Sequence, residues 1–274
     1  MIGASREALA AARERFDALV DNTAVDPAAL AGELGSVTAL LDREVPLRRV
    51  LTDPARPGED KAALVGRLLA GQVSGEVVDL LSGLVRSRWV RTRDLADAVE
   101  ELADTADIVA AQRAGELDDV EDELFRFGRI LSSSPALRSA LTDRMASDAV
   151  REARTGLLRR LLGGRVRPAT ERLVVRLVEQ PRGRSLEAGL NALSKLAAER
   201  RDRMVAEVTS AVPLSDRQKR RLGAALAALY GRQVHLNLDV DPQVLGGIAV
   251  RVGDEVISGT VADRLDEAAR RIAG

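Results

Sequence analysis

Leu47-Arg48-Arg49-Val50-Leu51-Thr52-Asp53 returns ninety residues later as Leu137-Arg138-Ser139-Ala140-Leu141-Thr142-Asp143. A second block follows in the same order: Arg67-Leu68-Leu69-Ala70-Gly71-Gln72-Val73 recurs as Arg160-Leu161-Leu162-Gly163-Gly164-Arg165-Val166, at an offset of 93. The stretch Val77 to Val85 then matches Glu171 to Val178 after a small slip. Three blocks in order at nearly one offset indicate a duplicated unit rather than coincidence in an Ala/Leu/Arg-rich chain. Two units are too few for an extended solenoid, so each is expected to close as a small bundle.

The unit is helical. Leu9, Ala12, Phe16 and Leu19 recur at steps of three and four, and so do Leu95, Val99, Leu102, Ala106 and Val109, which is the spacing of one buried helical stripe. Breakers at Asp26-Pro27, Asp53-Pro54, Ser134-Pro135, Gly163-Gly164, Pro168 and Pro181 cut the chain into short helices. No Pro or Gly interrupts Asp94 to Ala114, so one helix is expected to run toward Gly115 across the first junction. Residues 100–123 hold ten acidic side chains and one basic, a run expected to face solvent. From Arg151 to Arg203 the balance reverses to fourteen basic and six acidic, which suits docking to a protein partner or pairing of the two units with each other.

The period changes near residue 204. Met204, Ala206, Val208, Ser210 and Val212 alternate with Val205, Glu207 and Thr209, as in a strand. Ser215 and Gln218 form a capping box for a helix whose apolar stripe is Leu222, Ala225, Leu226 and Leu229, ended by Gly231. Val234, Leu236, Leu238 and Val240 mark a second strand, with His235, the sole histidine, on its polar face. Ile248, Val250 and Val252 lead through Gly253-Asp254 to Val256 and Gly259 as a hairpin. A last helix is expected to carry Val261, Leu265, Ala268 and Ile272. The fold class is therefore α+β: helical bundles at residues 1–105 and 106–203, then a strand-helix-strand-hairpin-helix unit with a mixed sheet at 204–274.

Composition excludes much chemistry. The 274 residues contain no Cys and one His, which removes disulfides, thiolate zinc sites, cysteine nucleophiles and two-imidazole sites. Phosphate-binding loops, dinucleotide fingerprints, Gly-x-Ser-x-Gly, His-Glu-x-x-His and calcium-loop patterns are absent. Adjacent acids such as Asp118-Asp119 point apart on a helix. No catalytic, metal-ligating or cofactor-binding residue is expected. With 41 basic and 42 acidic residues there is no excess of cations for nucleic acid. Arg200, Arg201 and Arg203, then Arg217, Lys219, Arg220 and Arg221, lack interleaved aromatics for base stacking. The N-terminus is too charged for a secretory signal and no window of eighteen apolar residues exists, so a soluble cytoplasmic chain is expected.

The most specific stretch runs from Leu245 to Val261, LGGIAVRVGDEVISGTV. Gly246-Gly247 permits positive φ before a strand, and Arg251, Gly253, Asp254, Ile257 and Gly259 follow at fixed spacing, with Arg264-Leu265 in the last helix. This pattern resembles the ending of delta subunits of bacterial F-type ATP synthase, the family that includes the mitochondrial oligomycin-sensitivity-conferring protein. Ser258 stands where the family more often has Asp, and Thr260 where it often has Ser. Leu124-Phe125-Arg126-Phe127, Ser134-Pro135-Ala136-Leu137 and the strand before Pro213-Leu214-Ser215 extend the likeness over residues 106–274, and the first helix also resembles the start of such proteins. The chain is longer than the usual member by one helical unit, as in the long forms of high-GC Gram-positive bacteria.

The resemblance implies a non-catalytic stator of the peripheral stalk, on the cytoplasmic face of the plasma membrane and present once per complex. It joins the alpha subunits of the catalytic head to the membrane-anchored b subunit and needs no cofactor, nucleic acid or membrane insertion. Under this reading Leu9, Phe16 and Leu19 of the first bundle are candidates for the head contact, with the second bundle as the alternative seat. Gly246, Gly247, Arg251, Gly253, Asp254, Ile257, Gly259 and Leu265 are candidates for structural or b-subunit contacts. A helical scaffold of another complex is the competing expectation.

Overall fold

Prolines and side-chain caps set the helix boundaries. Asp26 Oδ1 accepts from Ala28 N at 2.9 Å, and Pro27, which lacks an amide proton, occupies the first turn. The computed structural model describes residues 1–22, 25–142, 148–201, 204–231, 234–241, 247–252 and 255–258. The chain divides into two units, Met1–Arg201 and Asp202–Gly274.

Every regular element described in the first unit is a helix. It contains α1 (Ala4–Asn22), α2 (Pro27–Arg43), α3 (Val45–Thr52), α4 (Gly58–Leu69), α5 (Gly75–Arg86) and α6 (Thr92–Arg113). There follow α7 (Leu117–Ser133), α8 (Pro135–Thr142), α9 (Asp148–Leu162), α10 (Pro168–Glu179) and α11 (Leu186–Arg201). Two apolar cores form. The first takes Phe16, Leu30, Leu34, Leu84, Leu95 and Leu102 from α1 through α6, and the second takes Ile108, Leu124, Leu131, Leu173 and Leu190 from α6 through α11.

Helix α6 belongs to both cores. Its Leu95, Val99, Leu102 and Ala106 face the first, while Ile108 and Ala111 face the second. The expected boundary after residue 105 therefore falls inside an unbroken helix. Helices α1 to α6 form one set of six and α6 to α11 a second, with α6 shared between them.

The duplicated segments carry the same local bonds. Thr52 Oγ1 donates to Arg48 O at 2.8 Å in α3, and Thr142 Oγ1 donates to Arg138 O at 2.8 Å in α8. Leu51 and Leu141, one residue earlier, are both buried. A carboxylate on the second helix of each repeat caps the fifth: Glu33 Oε2 accepts from Ser74 N and Oγ at 2.9 and 2.6 Å. Glu123 in turn accepts from Arg167 N at 2.9 and 3.1 Å and from Thr170 Oγ1 at 2.6 Å.

The second unit contains β1 (Met204–Ser210), α12 (Asp216–Tyr230), β2 (Val234–Val240), β3 (Ile248–Val252) and β4 (Glu255–Ser258). The sheet order is β2-β1-β3-β4. The β1–β2 pair is parallel, so α12 is the crossover that parallel strands require, and the remaining pairs are antiparallel. Ser215 and Gln218 form the expected capping box, and Gly231 ends α12 at φ 65°. The unit's core is Ala206, Val208, Leu226, Val250 and Val252.

Two expectations are corrected in this unit. Val212 lies beyond β1 and is exposed, because the strand ends at Ser210. Leu229 is 65% exposed and Ala225 is exposed too, whereas Tyr230 packs with Leu222 and Leu226. Residues 222, 226 and 230 stand one turn apart, and 229 lies about 100° around the helix from 230. His235 sits on β2, an edge strand. The last helix expected from Val261 to Ile272 lies outside the described residues.

Candidate interaction sites

The acidic run that was expected to face solvent turns inward on α6. Glu100, Asp104 and Asp107 are 2%, 8% and 0% exposed. Arg176 of α10 bridges two of them, at 2.5 Å from Asp104 Oδ1 and 2.7 Å from Asp107 Oδ2. Arg172 adds a 2.5 Å contact to Asp107 Oδ1. Between α10 and α11, Arg182 binds Glu100 and Asp97 at 3.2 Å and reaches Asp42 of α2 at 2.8 Å, while Arg184 binds Glu100 at 2.6 Å. Arg182 holds φ 46°, a region unfavourable to a residue with a Cβ, and its guanidinium is fixed by these contacts and by Ala96 O at 3.0 Å.

Burial pushes the Asp104 carboxyl up to about 7; Arg176 pulls the other way, and Glu100 and Asp107 add to the rise. Burial likewise raises Glu100 against the pull of Arg182 and Arg184. This is an internal joint between repeats. At the far end of α11, Arg200 reaches Asp17 and Asp21 of α1 at 3.3 and 3.5 Å, so a member of the suspected basic cluster is buried in an ion pair. Arg201 is engaged by Glu121 at 2.5 Å, and Arg203 lies outside the described residues. The arginines of the joint escape a reading of periodicity, although the reversal from acidic to basic composition was their signal.

Of the candidates on α1, Phe16 is fully buried and Leu9 is 8% exposed, both within the first core, while Leu19 packs partly against it. Phe16 therefore holds α1 in place and offers a partner no surface. A groove of about 450 Å³ passes between α1, α6 and α11, with Leu9, Leu193 and Leu196 among its apolar lining. Its charges largely answer one another: Glu101 engages Arg13, and Lys195 lies 3.7 Å from Glu199.

Apolar side chains are left open elsewhere, at Phe125 and Ile130 of α7 and along α9. Val150, Leu157 and Leu161 are 54%, 51% and 48% exposed on α9, and their spacing of seven and four puts them on one stripe. Leu158, one residue along, is buried in the second core. This stripe was not read from the sequence, because only packing decides which side of an amphipathic helix is covered.

In the sheet unit, Gly247 has φ 85°, which a side chain would strain. Arg251 is exposed on β3, in register with Glu207 on one side and Val256 on the other. Ile257 stands opposite Val250 on edge strand β4 and is 36% exposed. Gly246, Gly253, Asp254, Gly259 and Leu265 lie outside the described residues. No group of three or more His, Cys, Asp or Glu among the described residues is arranged to hold a metal ion.

The described residues form helices and one small sheet, and comparison with known proteins identifies the family. The family model "ATP synthase delta (OSCP) subunit" matches residues 104–272. The chain is 75% identical over its full length to an ATP synthase subunit delta from Streptomyces griseus, covering all of both chains. It is 71% identical to the subunit delta of Streptomyces avermitilis, covering 99% of this chain and 98% of that one. Identity to the subunit delta of Thermobifida fusca is 47%, over the whole of both chains. The chain belongs to the ATP synthase delta (OSCP) subunit family, and it is a non-catalytic stator subunit of the peripheral stalk.

Proposed function

We propose that the chain works as three modules, residues 1–105, 106–203 and 204–274, with the two helical modules fused through α6. The helical part grips N-terminal segments of the alpha subunits on the catalytic head. The sheet module grips the end of the b subunit, so that the head is held against rotor torque. One copy serves each complex at the cytoplasmic face of the bacterial plasma membrane. None of the described helices is long and apolar enough to cross a membrane, which accords with peripheral attachment.

The observation that carries this reading is the family match from residue 104 to 272, which takes in the second repeat and the sheet unit. The open stripe Val150, Leu157 and Leu161 belongs to that second repeat. An amphipathic segment seated on it would remove those side chains from water, whereas Leu9 and Phe16 are already buried. The head contact is accordingly assigned to the second repeat, with α1 supporting the joint from behind.

The test is the affinity of the full chain for the isolated catalytic head. A Leu157→Ser, Leu161→Ser double variant alters two half-exposed positions and leaves the core intact. Removing two apolar anchors of about 1 kcal/mol each lowers affinity roughly tenfold to a hundredfold. Undiminished binding, together with a loss in Leu19→Ser, would return the contact to α1. For the sheet module, Arg251→Ala is expected to weaken capture of the b-subunit cytoplasmic segment and to leave head binding unchanged.

A further inference from the structure

We infer that the joint between the two helical repeats is proton-responsive: a proton taken up among the carboxylates on the inner face of α6 tightens the seat of α10 against it. The inference goes beyond the stator assignment and stands without it.

The geometry is unequal in a way that matters. Glu100, Asp104 and Asp107 stand at i−4, i and i+3 on one helix, so Asp104 has a like charge on both sides. Glu100 is held by two guanidiniums, Arg182 and Arg184, and Asp107 by two, Arg172 and Arg176. Asp104 has only a share in Arg176, which is already committed to Asp107. It is thus the least neutralised carboxylate of a buried set, and burying an ill-compensated charge is costly.

Charged groups from several elements face it. From α10 come Arg172 and Arg176; from the turn before α11 come Arg182 and Arg184. From α2 comes Asp42, 2.8 Å from Arg182 and 3.7 Å from Arg48 of α3. On α6 itself Asp97 faces Arg182, and Glu101 turns to Arg13 of α1. Arg6 of α1 and Lys195 and Glu199 of α11 line the same groove as Asp97, Glu100 and Asp104. The Arg176 side chain runs past Gly35 of α2, where even a Cβ would sit in ordinary contact, 3.5 Å from its Nε.

The sign follows from linkage. A carboxyl raised from its ordinary value of 3.8 to about 7 in the closed joint binds more protons there than when the joint opens to water. Closure is therefore strengthened as pH falls through about 7, and this gain is complete only near the unperturbed value. Between pH 8 and pH 6 a single such group changes the opening equilibrium about tenfold. The ordinary carboxylate case, in which acid loosens an ion pair, runs the other way.

Hydrogen exchange on the full chain reads this directly, with amide rates in residues 97–108 and 172–178 corrected for intrinsic pH dependence. Wild type is expected to show about tenfold greater protection at pH 6 than at pH 8. Asp104→Asn keeps an oxygen for Arg176 and removes the proton equilibrium, so its protection is expected to be flat. Should that variant not fold, Glu100→Gln serves instead: with one neighbouring charge gone, the change in protection moves to lower pH. Equal wild-type protection at both pH values overturns the inference, and so does a tenfold change that persists in Asp104→Asn or stays in place in Glu100→Gln.

Discussion

Replacing Glu123 by alanine tests the architecture of the second repeat at one point. Its carboxylate accepts from Arg167 N, the residue at the start of α10, and from Thr170 Oγ1, whose residue is 1% exposed. Losing a helix cap costs about 1 kcal/mol, and leaving a buried hydroxyl without its acceptor costs about 1 kcal/mol more. The sum is about 2 kcal/mol, or about 4–8 °C in Tm for a unit of this size. Glu33→Ala, the matching change in the first repeat, frees only Ser74 N and Oγ at a half-buried site, and about 1 kcal/mol is expected. Glu123→Gln retains an acceptor oxygen and should lose less than half of the alanine effect, mainly the charge at the helix N-terminus. Thermal and urea unfolding of the full-length variants, with circular dichroism confirming helix content, supply the measurement. A cost below about 0.5 kcal/mol for Glu123→Ala, or a glutamine variant as unstable as the alanine one, would refute the assignment of this side chain as cap and tie.

Two further expectations concern stability. Phe16→Ala empties a fully buried site in the first core and should cost about 3–5 kcal/mol in chemical unfolding; a change below 1 kcal/mol would mean that α1 is not anchored by this ring. Gly231→Ala places a Cβ at φ 65° and should lower the stability of the sheet unit by about 1 kcal/mol, which hydrogen exchange in α12 would register.

The buried network explains why the second repeat needs charge where the first uses carbon. Helix α1 offers its repeat Phe16 and Val20, both fully buried. Helix α6 has already given its leucine stripe to the first core, and the face it turns to α10 carries Glu100, Asp104 and Asp107. Acids there need arginines, and α10 and the following turn supply four. Such pairs are weak sources of net stability but strict about geometry, because displacing one partner leaves a buried charge alone. A joint that must keep its shape under torque is served by that strictness.

The periodicities, the repeated Leu-Arg-x-x-Leu-Thr block and the change of period near residue 204 were readable as text, because each is a local pattern that one helix or strand imposes on its own residues. The Ser215 cap and the Gly231 stop were legible for the same reason. The two stripes that misled, at Val212 and Leu229, are places where a local period continues past the packing that gives it meaning. Tertiary structure alone decided that α6 serves two cores, that Phe16 is interior, and that Glu100 and Asp107 meet arginines roughly seventy to eighty residues away instead of water. A sequence shows which charges exist, but the cost of burying one depends on the partner that the fold brings to it.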